Sequence, residues 1–320
     1  MNQILLWLRA HRRGVAALAA GLAALGIFLL ARRDRAAMDW WLSHISMPVK
    51  RGVSFLVDPL PCSACELGAT VLIVAALVLL VRAVRRRRFA SWVLHMAVLL
   101  VWGYAAVCGL WGTQYYGTTF AEKAGMTAPP VSVEELAAVT DYFAARVNET
   151  APLVDRDANG LFAVDKREIL DGCTGLYDPL TERWPFLSGP ERRPKPALYS
   201  KLMSAWGFTG YLCPLVGEST LNVDSPAVFL PVTVAHELAH QRGVAAEQEA
   251  NFVGVMAATA SPKADYAYSG WLFGYLHLSN ALYAADPALA AESYQTLCEG
   301  ARTDLADNNA YWKQWEGPVK

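Results

Sequence analysis

The sequence predicts a mainly α-helical membrane protein, with three N-terminal transmembrane helices followed by a mostly helical α+β domain. Two observations carry this. The 320-residue chain is 54% hydrophobic, with a mean hydropathy of +0.22, high for a soluble protein. That apolar excess lies largely in three runs before residue 112, while the remainder mixes charge, Pro and Gly with helical periodicity. The formal net charge of -1 supplies no basic field of the kind nucleic acid attracts, so no nucleic-acid partner is expected.

The three runs are residues 15–31, 67–84 and 91–111, each near the length needed to cross a bilayer. The first follows Arg9, Arg12 and Arg13 and has the look of a signal peptide. Its length and the two further runs favour a retained anchor. Residues 1–112 are thus expected to form a membrane region in contact with the lipid bilayer, and residues 113–320 a separate domain. The four arginines Arg85–Arg88, in the short loop between the second and third runs, favour a cytoplasmic loop. Arg32, Arg33, Arg35, Lys50 and Arg51 in the opposite loop weaken the bias without reversing it. The N-terminus is then expected inside and the domain outside. Residues 32–66, with Trp40, Trp41, His44 and Pro48, suit a partly helical interfacial segment.

Beyond the membrane region, Ser132 and Glu135 form a capping box that should open a helix reaching about Asn148. Residues 150–196 are rich in Asp, Gly and Pro and predict loops and short elements. Gly210–Gly217 reads as a short strand and turn, and Glu218–Val223 as an edge strand. Further helices are expected from Pro231, over Ala245–Ala258 and Tyr268–Tyr283, and over a last helical stretch, Pro287–Asn308.

The chemistry is carried by His236-Glu-Leu-Ala-His240, a H-E-x-x-H string. Histidines at i and i+4 share one helical face, so His236 and His240 can each give a ring nitrogen to one tetrahedral metal, most simply Zn²⁺. Glu237 lies about 100° further round, placed to act as general base without being a ligand. Pro231 suits the start of this helix and Gly243 a left-handed end. A third ligand must come from elsewhere, and Glu249, early in the next helix, is a candidate. The apolar runs beside the motif are too short to span a bilayer, so the site is expected beside the membrane.

The strings 229–243 (Phe-Leu-Pro-Val-Thr-Val-Ala-His-Glu-Leu-Ala-His-Gln-Arg-Gly) and 247–252 (Glu-Gln-Glu-Ala-Asn-Phe) resemble a bacterial membrane family known as domain of unknown function 3810. Asn222-Val-Asp, Tyr268-Ser-Gly and Leu60-Pro-Cys-Ser-Ala-Cys-Glu-Leu are similar to its pattern too. The resemblance implies a zincin-like metallopeptidase domain in a multi-pass protein of the bacterial cytoplasmic membrane. Glu249-Ala-Asn is also similar to the third-ligand segment of ImmA/IrrE-type and HtpX-like peptidases, in which the Glu before Ala binds zinc. That implies Glu249 rather than Glu247. The two lie about 200° apart on a helix, so both cannot face one metal.

The expected mechanism is zinc hydrolysis. His236, His240 and Glu249 hold Zn²⁺, which lowers a water's pKa to about 7. Glu237 takes the proton and delivers it to the leaving amine. Tyr268 and His277 are the better candidates for oxyanion stabilisation, ahead of Tyr266 and Arg242, with Glu218 and Asn222 in support. The expected substrates are peptides, envelope proteins or peptidoglycan peptides outside the membrane. A zinc-binding sensor or receptor and a structural zinc protein are the competing classes. Glu237 argues against the last, since a structural site needs no base.

Overall fold

The three apolar runs fold as helices α1 (Arg12–Ala31), α2 (Ala64–Arg85) and α3 (Phe89–Leu110) in the computed structural model, which describes residues 3–317. At 20, 22 and 22 residues they are long and apolar enough to cross a membrane. Side chains such as Val71, Ile73 and Leu100 stay exposed along them, as lipid-facing surfaces require. Indole N–H groups tie the helices together. Trp102 donates to the Ala17 carbonyl at 3.0 Å and Trp92 to that of Ala76 at 3.1 Å. The segment after α1 is more helical than its mixed composition indicates. Arg35–Trp41 and Met47–Val57 are α-helices joined by a π-helical turn at Leu42–Ser46. Trp41 Nε1 and Ser46 Oγ both donate to the Gly109 carbonyl, which secures this segment near the end of α3.

Contacts divide the chain into two units that do not follow a single cut. The first gathers the described residues up to Pro59, Ala64–Thr119 and Cys213–Gly217. The second takes Leu60–Ser63, Phe120–Leu212 and the described residues from Glu218 on.

In the second unit the capping box at Ser132 and Glu135 forms as expected and opens α4 (Val133–Thr150). Short helices at Lys166–Asp171 and Asp178–Arg183 break up the following loops. A three-stranded sheet is built from β1 (Lys195–Pro196), β2 (Gly210–Leu212) and β3 (Ser219–Leu221) in the order β1-β3-β2. Helix α5 (Ser200–Trp206) sits in the chain between β1 and β2. Strand β3 pairs parallel to β1, with Lys195 opposite Thr220, and antiparallel to β2, with Gly210 opposite Leu221. The expected edge strand is therefore the middle one. All of Ser219, Thr220 and Leu221 are buried, and the distant pairing with Lys195–Pro196 covers the flank taken to be open.

The helical layer comprises α6 (Leu230–Gln241), α7 (Glu247–Thr259), α8 (Ala264–Ala285), α9 (Pro287–Thr296) and α10 (Glu299–Lys313). The last expected helical stretch is split because Leu297 and Cys298 are extended (ψ 139° and 159°). Helix α6 is apolar nearly all round and is buried over most of its length, as such a helix must be. Its Val232, Val234, Ala235, Leu238 and Ala239 join Tyr266, Tyr268 and Leu272 of α8 in one core. A helix fixed this firmly holds its polar side chains in defined positions.

Candidate metal centre

The i, i+4 spacing on α6 brings the rings of His236 and His240 edge to face, with centroids 4.6 Å apart. His240 is buried, and its Nδ1 lies 2.7 Å from the Val244 carbonyl. A carbonyl can only accept, so Nδ1 carries a proton, and Nε2 is the ring atom turned toward Glu247. Val244 is in place because the chain turns sharply after α6. Gly243 takes φ +89°, and Val244 N–H donates back to Ala239 at 3.1 Å.

This tight turn starts α7 at Glu247, and Glu247 is the carboxylate that meets the pair. Its Oε2 is 3.3 Å from His236 Nε2 and its Oε1 3.6 Å from His240 Nε2. One donor atom from each of these three residues lies within 4.8 Å of the others, close enough to hold one ion. The structure does not bring Glu249 to this group. Its carboxylate accepts the backbone N–H groups of Phe120 and Ala121, at 3.0 and 2.9 Å. Two residues along a helix turn a side chain by about 200°, and since Glu247 faces the histidines Glu249 faces away. Helix α7 approaches α6 closely at Gly254, where an added Cβ would lie 2.9 Å from the His236 backbone nitrogen.

Glu237 points from the same helix into the protein. It is only 2% exposed, and among the described residues its Oε2 has no hydrogen-bond partner. Burial pushes its carboxyl up to about 7, against the opposing pull of His240 and His236. Strand β2 closes over it: a Cβ on Gly210 would come within 2.7 Å of Glu237 Oε1. The imidazoles hydrogen-bonded to Glu247 hold its carboxyl far below the usual carboxylate range. For His240, burial pulls its pKa down, but the Glu247 hydrogen bond and the Glu237 charge outweigh this and raise it.

The other sequence candidates are engaged elsewhere. The Tyr268 hydroxyl donates to Asp304 at 2.5 Å and accepts from Arg156 at 3.2 Å, inside the core. His277 packs edge-on against Phe273, centroids 4.5 Å apart, and among the described residues no hydrogen bond joins it to residues 236–249. Tyr266 donates to the Ile169 carbonyl, while Arg242 stacks over Tyr177 and binds Glu191. Glu218 accepts from Ser63 at 2.9 Å, and Asn222 donates to Ser204 and to the Phe208 carbonyl. These contacts are with residues outside the His236, His240 and Glu247 group. Glu247, Gly210, Gly254 and the Val244 carbonyl are what the sequence reading missed. The signal for Glu247 is the left-handed Gly243, which ends α6 soon enough for the next helix to start at residue 247.

A family model described as a protein of unknown function, DUF3810, matches residues 44–320. The chain belongs to this family. No curated protein and no solved structure matches it. The DUF3810 match takes in α6, the turn and the start of α7, so the histidines, Glu237 and Glu247 all fall inside it.

Proposed function

We propose that this DUF3810 protein is a membrane-anchored, zinc-dependent metallopeptidase with a zincin-like domain, hydrolysing peptide bonds outside the cytoplasmic membrane. The observation that carries the reading is the convergence of His236, His240 and Glu247 beside a buried, unpartnered Glu237 carboxylate oxygen. Two imidazoles and one carboxylate are the donor set of a catalytic zinc site that keeps a position open. The fit is supported by the Val244 carbonyl, which holds the His240 ring through Nδ1 and leaves Nε2 facing the group, and by the exposure of Glu247, whose side chain is 67% accessible. When bound, zinc would supply Lewis acidity, making water more acidic and polarising a substrate carbonyl.

The remaining steps belong to this chain's own side chains. Glu237, one residue along the helix from His236 and shielded by burial, is placed to accept a proton from the attacking water and return it to the leaving amine. Strand β2 and the α6 core keep bulk water from that carboxylate. A site used only to staple helices would have no use for a buried base beside the donors, which favours catalysis over a structural or sensing role. The arginine block at 85–88 supports the external placement of the domain.

The test is zinc content of the purified full-length protein together with cleavage of a broad peptide library. Near one zinc per chain, with cleavage lost and metal kept in Glu237→Gln, is the expected outcome. Absence of zinc from the parent after metal loading would end the proposal.

A further inference from the structure

Helix α5 presents large apolar side chains outward as well as inward. Its inner face carries Met203 and Ser204, with Ser204 fully buried and bonded to Asn222 and Tyr311. Its outer face carries Leu202 and Trp206, one turn apart on the same stripe, with Lys201 beside them. Trp206 is 64% exposed and Phe208, just beyond the helix, 52%. Single exposed apolar residues are ordinary, but a stripe of Leu, Trp and Phe opposite a buried serine indicates a surface that something covers.

The chain itself indicates the occupant. Five residues after Phe208 begins Cys213–Gly217, a loop that packs within the membrane unit. There a Cβ on Gly217 would lie 2.9 Å from the Lys50 carbonyl oxygen. The Lys50 ammonium sits 5.2 Å from the ring centroid of Trp111, the residue that follows α3. The loop therefore lies at the C-terminal end of a membrane-length helix. In that same unit Leu215 of the loop is exposed, and the helix Met47–Val57 exposes Phe55 and Leu56. Five residues span at most about 17 Å, so the chain itself keeps Phe208 within that distance of Cys213, whatever the arrangement of the two units. Tryptophan, phenylalanine and leucine with a flanking lysine are the composition an in-plane interfacial helix uses.

We infer that α5 is a lipid-contacting element, seating Leu202, Trp206 and Phe208 in the interfacial layer of the bilayer that the three spans cross. The inference does not depend on the metal reading. It does bear on the centre, because α5 leads directly into β2, whose Gly210 backs Glu237. A membrane-seated α5 fixes that strand at the bilayer surface and favours substrates presented there.

The test places an environment-sensitive fluorescent amino acid at position 202, 206 or 208, and at the exposed position 309 as control. The full-length protein is reconstituted into phosphatidylethanolamine–phosphatidylglycerol vesicles. Quenching by doxyl-labelled lipid and by aqueous iodide is compared at each site. The expected result is blue-shifted emission at 202, 206 and 208, with several-fold stronger lipid quenching and weaker iodide quenching than at 309. Iodide quenching equal to that at 309 would overturn the inference. So would shielding from both quenchers that fades as the protein is diluted in lipid, since that identifies a second copy as the occupant. The positions are independent and exposed, so a misfolded variant at one leaves the others to decide.

Discussion

Glu247 and Glu249 differ by two positions and have opposite expected phenotypes. Glu249 accepts two backbone N–H groups, at 3.0 and 2.9 Å, one of them on the buried Phe120. Bonds to a charged acceptor contribute roughly 1.5–3 kcal/mol each. Because Glu249 is only half-buried, the pair together is worth about 3 kcal/mol. Glu249→Ala should therefore lower the melting temperature of the metal-free protein by roughly 10 °C, and the folded fraction should still take up one zinc. Glu247 makes two histidine contacts from a side chain that is 67% exposed. Exposed ion pairs contribute about 0–1 kcal/mol, so Glu247→Ala should leave the metal-free melt nearly unchanged. Loss of a direct ligand should exceed the effect of losing a supporting partner, weakening zinc binding by at least about 100-fold, or ~2.7 kcal/mol. Zinc affinity is read by competition with a chromophoric chelator, and the melt by tryptophan fluorescence in detergent. Wild-type zinc affinity in Glu247→Ala, with zinc lost from a normally melting Glu249→Ala, would refute the assignment drawn from the geometry.

Three further outcomes are expected. In Gly254→Ala the new methyl meets the His236 backbone at 2.9–3.0 Å. It should push α7 away from α6, costing about 1–3 kcal/mol and weakening zinc binding; a gain in stability by thermal melt would contradict the close approach. Tyr268→Phe removes the hydroxyl between Asp304 and Arg156, so it should cost roughly 1–2 kcal/mol of stability with zinc affinity unchanged. A normal melt with abolished peptide cleavage would instead restore Tyr268 to the chemistry. The third concerns pH. The Glu237 carboxyl is raised from an ordinary 4.5 to about 7, so its ionised form carries the burial penalty. The penalty is absent below about pH 4.5 and grows to about 3 kcal/mol above pH 7. Metal-free Glu237→Gln should therefore melt above the parent at pH 8, with the gap closing near pH 4.5. A gap of equal size at both pH values would show that Glu237 does not ionise against its surroundings.

What the sequence revealed were the features that need no distant partner. An apolar run of 20 residues is a membrane-length helix whatever lies beside it, and the three spans appear within a few residues of their expected bounds. His236 and His240 face one way because i and i+4 do so in any α-helix. The same holds for the Ser132 capping box. The third carboxylate was harder because it depends on phase. Whether residue 247 or 249 meets the histidines is set by where α7 begins, and that is set by the left-handed Gly243 and the Ala239–Val244 bond. Likeness to the third-ligand segment of ImmA/IrrE-type and HtpX-like peptidases implied Glu249, whereas the phase of α7 turns Glu247 toward the histidines. Long-range pairings were illegible altogether: nothing near Glu218–Val223 announces that Lys195–Pro196 will cover its flank, and nothing near Tyr268 announces Asp304. The parts that tune the site are of this second kind. The Val244 carbonyl holds the His240 ring, Gly254 sets the helix spacing and Gly210 covers Glu237, and none of them lies inside His236–His240. Transplanting the five-residue motif alone into another exposed helix should therefore give a metal-binding pair without a near-neutral base, because the burial that raises Glu237 comes from the sheet and the core packed around α6.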